Sequence, residues 1–183
     1  AFGIAASLVF GVYAVRLVVA DRALAIAGRQ IDLGNAQGAA AAYRVAIRWE
    51  PANTGADLDY SRDMTQLANR STNLASRREA QGQAMEAAIR ATYFAEDRQN
   101  AWYNLAMLLA SRGDTAALER GLRSAIAWAP NWFKPHWTLA QLLYLQGRGN
   151  EALSEAALAV ELDGGHDSEV AATLRRILQF PAR

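Results

Sequence analysis

An internal repeat of 34 residues limits this 183-residue chain to a small set of folds. The stretch that begins at Asn100 aligns with the stretch that begins at Lys134. Glycine, leucine and alanine recur at this spacing in five pairs: Gly113 with Gly147, Leu105 with Leu139, Ala106 with Ala140, Ala125 with Ala159, and Ala91 with Ala125. A repeat of this length holds one unit that cannot bury its apolar face alone, so several units must stack.

The pattern also occurs near the start of the chain. This first copy carries small and aromatic residues in the same order: Gly34, Ala39, Tyr43, Ala46 and Pro51. The composition is 52% hydrophobic with only 4 Pro, and Ala-rich segments dominate. Ala loses no side-chain entropy when it enters a helix. We therefore predict an all-α chain built from helical hairpins.

These residues resemble the tetratricopeptide repeat (TPR). That family has an aromatic residue, Leu followed by Gly or Ala, a Gly at the turn, small residues on the second helix and a closing Pro. The third repeat carries this pattern in Trp102, Leu105, Ala106, Gly113, Ala125 and Pro130. The fourth carries it in Leu139, Ala140, Gly147, Ala152 and Ala159. The chain departs from the pattern at Leu118, where the family prefers a small residue, and at Gly164, which replaces the closing Pro. The resemblance implies a helical-hairpin solenoid whose concave groove holds a peptide or a helix.

Four repeats are predicted within 21–183, at 21–53, 54–98, 99–132 and 133–165. Ala46 and Ala91 are 45 residues apart, eleven more than the period, and we place the excess in a lengthened first helix at about 54–78. A capping helix is predicted at 167–179, with Asp167 or Ser168 as its N-cap. Such a helix covers the apolar face of the last repeat.

Residues 1–20 predict a hydrophobic helix ahead of the repeats. At about 1.5 Å per residue it spans about 30 Å, the thickness of a bilayer core. It carries ten large apolar side chains: Phe2, Ile4, Leu8, Val9, Phe10, Val12, Val15, Leu17, Val18 and Val19. Leaving all ten in water forfeits roughly 15–30 kcal/mol, more than the roughly 5–15 kcal/mol of net stability of a whole domain. The helix must therefore be buried in lipid or in protein.

Two ways of burying this helix remain open. As a membrane span it has a fitting length, and Arg16 lies near one end, where its guanidinium reaches the headgroups. As a self-packing helix it presents Gly3, Ser7 and Gly11, a stripe that lets two backbones approach closely. Mature type IV pilins also begin with a long apolar helix, although Ala5 stands where that family has Glu.

Motifs for catalysis, cofactor binding or metal binding are absent from the sequence. The chain has no Cys, and His136 and His166 lie in different elements, whereas a zinc site needs three or four convergent ligands. A net charge of +1 without a basic block argues against nucleic-acid binding. We predict a protein that is not an enzyme and that binds no cofactor, metal or nucleic acid.

The densest aromatic cluster is WAPNWFKPHW, at the junction of the third and fourth repeats. Its aromatic side chains either pack this junction or form a binding hot spot, in which Trp is enriched. The candidate interface residues are Trp132, Phe133, His136 and Trp137.

Three stretches, APNWFKPHWTLAQLL, NAWYNLAMLLASRGD and LVVADRALA, resemble the C-terminal tail of O-antigen ligase/polymerase-type membrane proteins of bacteria. In that family a last membrane span precedes TPRs. The resemblance implies an origin in the bacterial cell envelope. It does not imply ligase activity, because the catalytic membrane region of that family lies upstream of these stretches.

Two functions are predicted. In the first, the chain is a processed structural subunit, since it starts at Ala1 without Met, and its apolar helix packs against copies of itself in a pilus-like filament. Residues 1–20 hold it in the membrane before assembly, and the TPR groove takes a peptide or helix. The alternative is the anchored TPR tail of an O-antigen ligase-type glycosyltransferase, which binds a partner or regulates glycan transfer. The expected location is the cell envelope, membrane-anchored or extracellular after processing.

Overall fold

The computed structural model describes residues 2–53 and 55–179, without the side chains of residues 2–6 and 8. All regular structure in these ranges is α-helical. The helices are α1 (Phe2–Asp32), α2 (Ala36–Trp49), α3 (Ala56–Arg70), α4 (Leu74–Phe94), α5 (Arg98–Ser111), α6 (Thr115–Trp128), α7 (Phe133–Leu145), α8 (Gly149–Asp163) and α9 (Ser168–Gln179). The predicted all-α class is confirmed.

The chain divides into two units, Ala1–Glu96 and Asp97–Arg183. In unit 1, hairpin α1–α2 packs against hairpin α3–α4. In unit 2, hairpin α5–α6 packs against hairpin α7–α8, and α9 lies on α8 and α7. The buried side chains of α9 are Val170, Thr173 and Ile177. This last helix therefore closes the apolar face of the final hairpin.

Glycine and capping side chains produce the tight turns between paired helices. Gly113 has φ 77° and Gly147 has φ 76°, a left-handed conformation that side-chain-bearing residues rarely adopt. Directly after Gly113, the Asp114 carboxylate accepts the N–H of Ala117 at 2.9 Å and caps α6. The turn glycines recognised in the sequence therefore occupy the positions where the backbone requires them.

Small residues let the two helices of a hairpin approach closely. Ala106 on α5 and Ala125 on α6 are fully buried. A Cβ placed on Gly121 would lie 2.8 Å from the Cβ of Ala106, closer than real side chains come. Glycine at position 121 is thus a packing requirement of the α5–α6 hairpin.

The extra length of the second repeat lies in α4, not in the first helix as the sequence predicted. α3 ends at Arg70, where Ser71 takes extended backbone (φ −75°, ψ 124°). Asn73 then starts a new helix, because its side chain accepts the N–H of Ser76 at 3.0 Å. α4 consequently has 21 residues, against 15 in α3. Thr54, the first residue of the predicted second repeat, lies outside the described residues.

The apolar N-terminal segment is not a separate helix of residues 1–20. α1 continues without a break to Asp32, and its second half packs on α2 through Ala20, Ala23, Ala27 and Ile31. Among the residues that the structure describes, no helix is both long and apolar enough to cross a bilayer. The prediction of a membrane-length apolar helix is therefore not supported, since the described part of α1 soon acquires charged residues such as Arg16 and Asp21.

Candidate functional site

The predicted aromatic cluster comes together around the loop between α6 and α7 in unit 2. Trp132 is half-buried, and its ring meets that of Tyr103 edge-on with 5.1 Å between centroids. The indole N–H of Trp137 donates to Oγ1 of Thr173 at 2.8 Å. Phe133, the first residue of α7, is also half-buried. The two tryptophans thus connect α7 and its preceding loop to α5 and α9, and packing within unit 2 accounts for much of their surface.

His136 lies inside unit 2, which removes it from the predicted interface. Its side chain is buried, with Nδ1 at 2.7 Å from Oε2 of Glu155 and Nε2 at 2.9 Å from the carbonyl oxygen of Pro130. A carboxylate and a carbonyl only accept hydrogen bonds, so both ring nitrogens donate when the imidazole is charged. The hydrogen bond to Glu155 raises the pKa of His136, while burial acts in the opposite direction. His136 therefore joins α7 to α8 and to the α6–α7 loop.

A surface of mixed apolar and hydrogen-bonding groups runs over the first helices of unit 2. Leu145 is 83% exposed and Met107 is 42% exposed. A cavity of about 130 Å³ lies between α7 and α9. Its lining residues are Gln141, Tyr144, Leu145, Thr173, Arg176 and Ile177.

We call Met107, Gln141, Tyr144, Leu145 and Arg176 the unit-2 face. The phenol of Tyr103 and the hydroxyl of Thr138 meet at 3.0 Å and bring α5 beside α7. Met107 lies one turn after Tyr103, and Gln141 lies one turn after Thr138. The repeat pattern does not mark the residues of this face, although Met107 and Gln141 follow the buried Leu105 and Leu139 by two positions, which places them off the core side.

Unit 1 has a different, acidic surface between α1 and α3. A cavity of about 240 Å³ there is lined by Gly28, Ile31, Asp32, Asp63, Gln66 and Arg70. Burial raises the pKa of Asp63, and repulsion from Asp59 and Asp32 acts in the same direction. Arg70 lowers it and donates a hydrogen bond to the backbone carbonyl of Ile31.

A buried polar cluster holds the hairpins of unit 1 together. Tyr43 and Tyr60 stack with 3.8 Å between ring centroids, and the Tyr43 hydroxyl donates to Oδ1 of Asp57. Burial raises the pKa of Tyr43 above its ordinary value, and the hydrogen bond to Asp57 adds to this. Arg90 on α4 approaches the same carboxylate at 3.4 Å and donates to the carbonyl of Pro51 at 3.0 Å. These contacts place the end of α4 next to the loop that follows α2.

The predicted self-packing stripe falls only partly within the described residues. Gly3 belongs to α1, but its burial lies outside what the structure describes. Ser7 and Gly11 are exposed, and a Cβ added to Gly11 would meet no atom within 4 Å. Packing of this stripe against a second copy stays a prediction.

Over the described ranges, no group of three or more His, Cys, Asp or Glu side chains is arranged to hold a metal ion.

Comparison with known proteins identifies the fold. No protein-family model matches the sequence, and no curated protein matches it. A thermophilic TPR protein from Thermus thermophilus is similar, with 19% identity over 88% of this chain and 82% of its own, and a TM-score of 0.62. The MamA protein matches with 14% identity over 88% of this chain and 87% of its own, and a TM-score of 0.63.

A third similar structure is YrrB, described as a TPR protein with an unusual peptide-binding site. It has 16% identity over 86% of this chain and 75% of its own, and a TM-score of 0.60. At these identities the likeness shows the fold alone, and it confirms the predicted TPR architecture. The comparisons do not support the resemblance to O-antigen ligase tails or assembly into a filament.

Proposed function

We propose that this chain is a protein-interaction scaffold that binds a peptide segment on the unit-2 face and does not act as an enzyme. The observation that carries this proposal is the exposure of Leu145 beside Gln141 on α7 and Arg176 on α9, around the cavity between these two helices. Such a rigid surface places apolar contacts and hydrogen-bonding groups side by side without a folding cost on binding. The TPR fold of the similar structures, one described with a peptide-binding site, supports the proposal.

The chemistry of the unit-2 face specifies the kind of peptide that it fits. The carboxamide of Gln141 both donates and accepts, so it can pair with a peptide backbone group. The guanidinium of Arg176 pairs best with a carboxylate, which it can contact with two parallel hydrogen bonds. Leu145 and Met107 offer an apolar surface for a neighbouring side chain. The expected ligand is a peptide with an apolar residue near a carboxylate.

A peptide library displayed on phage tests this proposal directly, and the affinity of selected peptides is measured by fluorescence anisotropy. We expect selection of peptides with an apolar residue next to an acidic residue or a free C-terminus. Leu145→Ser should weaken their binding at least about tenfold, the loss of one well-packed anchor. Arg176→Gln should weaken acidic peptides more than their amide analogues.

The matched control is Leu158→Ser, which alters an exposed leucine on the second helix of the same hairpin. It should leave peptide affinity within about twofold, as expected for a residue outside the binding surface. The proposal is refuted if no peptide is enriched, or if the two leucine variants bind equally well.

A further inference from the structure

The N-terminal end of α1 exposes apolar side chains around most of its circumference. Six large ones are each more than half exposed: Val9, Phe10, Val12, Tyr13, Val15 and Val18. Successive helical residues are about 100° apart, so the five from Val9 to Val15 cover about 220° of the circumference, and between Ser7 and Val15 the remaining sector holds only Ser7, Gly11 and Ala14. The first buried residue along α1 is Ala20 among those whose side chains are described. This end of α1 therefore projects beyond the hairpin that holds the rest of the helix.

The spread of exposed apolar side chains around α1 restricts which kind of partner can cover this end of the helix. One partner helix, or one groove, covers a single stripe and leaves the opposite side in water. A helix that is apolar all round fits a surrounding apolar medium instead. The hydrocarbon of a lipid bilayer is such a medium.

The residues at the base of the projection have the chemistry of a bilayer interface. Arg16 Nε donates to the backbone carbonyl of Trp49 at 2.9 Å, so the end of α2 lies level with Arg16. Arg48 and Trp49 are exposed there, and Tyr13 lies one turn further out on α1. Tyr93, 66% exposed near the end of α4, lies at the same end of unit 1.

That placement of Tyr93 follows from Arg90, one turn earlier on α4, which bonds the carbonyl of Pro51 just after α2. We call Tyr13, Arg16, Arg48, Trp49 and Tyr93 the junction collar. Tyrosine and tryptophan are enriched where hydrocarbon meets headgroups, and long basic side chains reach from that level into water.

We propose that the projecting end of α1 inserts into a lipid bilayer, with the junction collar at the headgroup level. The described stretch from Ser7 to Val15 rises about 12 Å, less than half of a hydrocarbon core of about 30 Å. Insertion of this stretch therefore places its side chains within the hydrocarbon. This inference goes beyond the proposed function, because it concerns unit 1 and uses none of the unit-2 face.

Site-specific labelling of the full chain provides the test, since the protein has no Cys of its own. Val12→Cys, on the projection, carries an environment-sensitive nitrobenzoxadiazole dye. The matched control is Leu33→Cys, an exposed apolar position at the opposite end of the α1–α2 hairpin. The probe is a vesicle of phosphatidylcholine, with and without a doxyl quencher on the acyl chain. Glu50 follows Arg48 and Trp49 along the chain, so a neutral lipid tests apolar insertion rather than charge.

We expect the dye at position 12 to shift to the blue only when vesicles are present and to be quenched by the doxyl lipid. The dye at position 33 should show neither change. Val12→Asp with Val15→Asp should reduce vesicle partitioning at least about tenfold, because a carboxylate in hydrocarbon is costly. Trp49→Ala with Tyr93→Ala should also reduce it, whereas Leu145→Ser, which tests the peptide site, should not.

Two results would overturn the inference. The first is an equal blue shift of the dye at position 12 in the absence of lipid, together with sedimentation that shows an oligomer. In that case a second copy of the chain covers the projection. The other is absence of doxyl quenching at position 12 while circular dichroism shows the helices intact.

Discussion

Replacing Gly121 with Ala should cost unit 2 up to about 2 kcal/mol, although alanine is the better helix former. The new Cβ would lie 2.8 Å from the Cβ and 3.2 Å from the Cα of Ala106. Carbon atoms pack best at about 3.5–4.0 Å, so α5 and α6 must separate by roughly 0.7 Å or more. Ala106 has no rotamer to change, and half of the clash is with backbone. The strain must therefore be taken up by movement of a whole helix.

The expected magnitude comes from comparing Gly121→Ala with Gly82→Ala. Gly82 lies within α4, is exposed, and a Cβ there would meet no atom within 4 Å. Both variants gain the same helix propensity, about 1 kcal/mol. Only Gly121→Ala also overpacks a buried contact, which costs typically about 1–3 kcal/mol. The two changes in the free energy of unfolding should therefore differ by about 1–3 kcal/mol, with Gly82→Ala stabilising.

Urea titration measures both changes. Four of the five tryptophans lie in unit 2, so tryptophan fluorescence reports mainly on that unit, and circular dichroism at 222 nm reports on all helices. A double-mutant cycle with Ala106→Gly isolates the contact, because removing that Cβ should recover part of the loss. The reasoning is refuted if Gly121→Ala stabilises as much as Gly82→Ala, or if Ala106→Gly leaves its cost unchanged.

Three further predictions concern unit 2. Because the folded pKa of His136 is raised, its stabilising contribution is complete below the ordinary histidine pKa and is lost as pH rises through the folded pKa. The urea midpoint should fall from pH 6 to pH 9, and Glu155→Gln should flatten this dependence. Leu122→Ala, at a fully buried position, should cost about 2–5 kcal/mol in urea unfolding, and a loss below about 1 kcal/mol would contradict the core assignment. Gly113→Ala forces a side chain into φ 77° and should cost about 1–2 kcal/mol, whereas an unchanged thermal midpoint would argue against this turn geometry.

The proposal for the unit-2 face and the proposal for α1 are tested on separate surfaces. Leu145→Ser should change peptide binding without changing vesicle partitioning, and Val12→Asp with Val15→Asp should do the reverse. Self-assembly through Gly3, Ser7 and Gly11, and a place in the bacterial cell envelope, remain predictions from the sequence.

The hairpin fold can be predicted from the residues alone, because the signals for it are local and repeated. Gly113 and Gly147 mark turns that only a left-handed residue closes without strain. Ala106 and Ala125 mark where paired helices touch, since larger residues would hold them apart. Repetition every 34 residues makes each signal visible against the background of an Ala-rich chain.

Which side chains are covered depends on contacts between elements that are distant along the chain. The sequence left His136 open as either a core or an interface residue beside three aromatic residues, and contacts with Glu155, nineteen residues later, and with the Pro130 carbonyl place it in the core. The longer helix of the second repeat became α4 because Asn73 caps a new helix there, an effect that composition does not reveal. The apolar start of the chain is continuous with the first hairpin helix, α1. Its described side chains from Val9 to Val18 lie outside the core. Helical periodicity is set by neighbours along the chain, so it can be predicted from the sequence. Burial is set by elements that are distant in sequence, so it cannot be predicted in the same way.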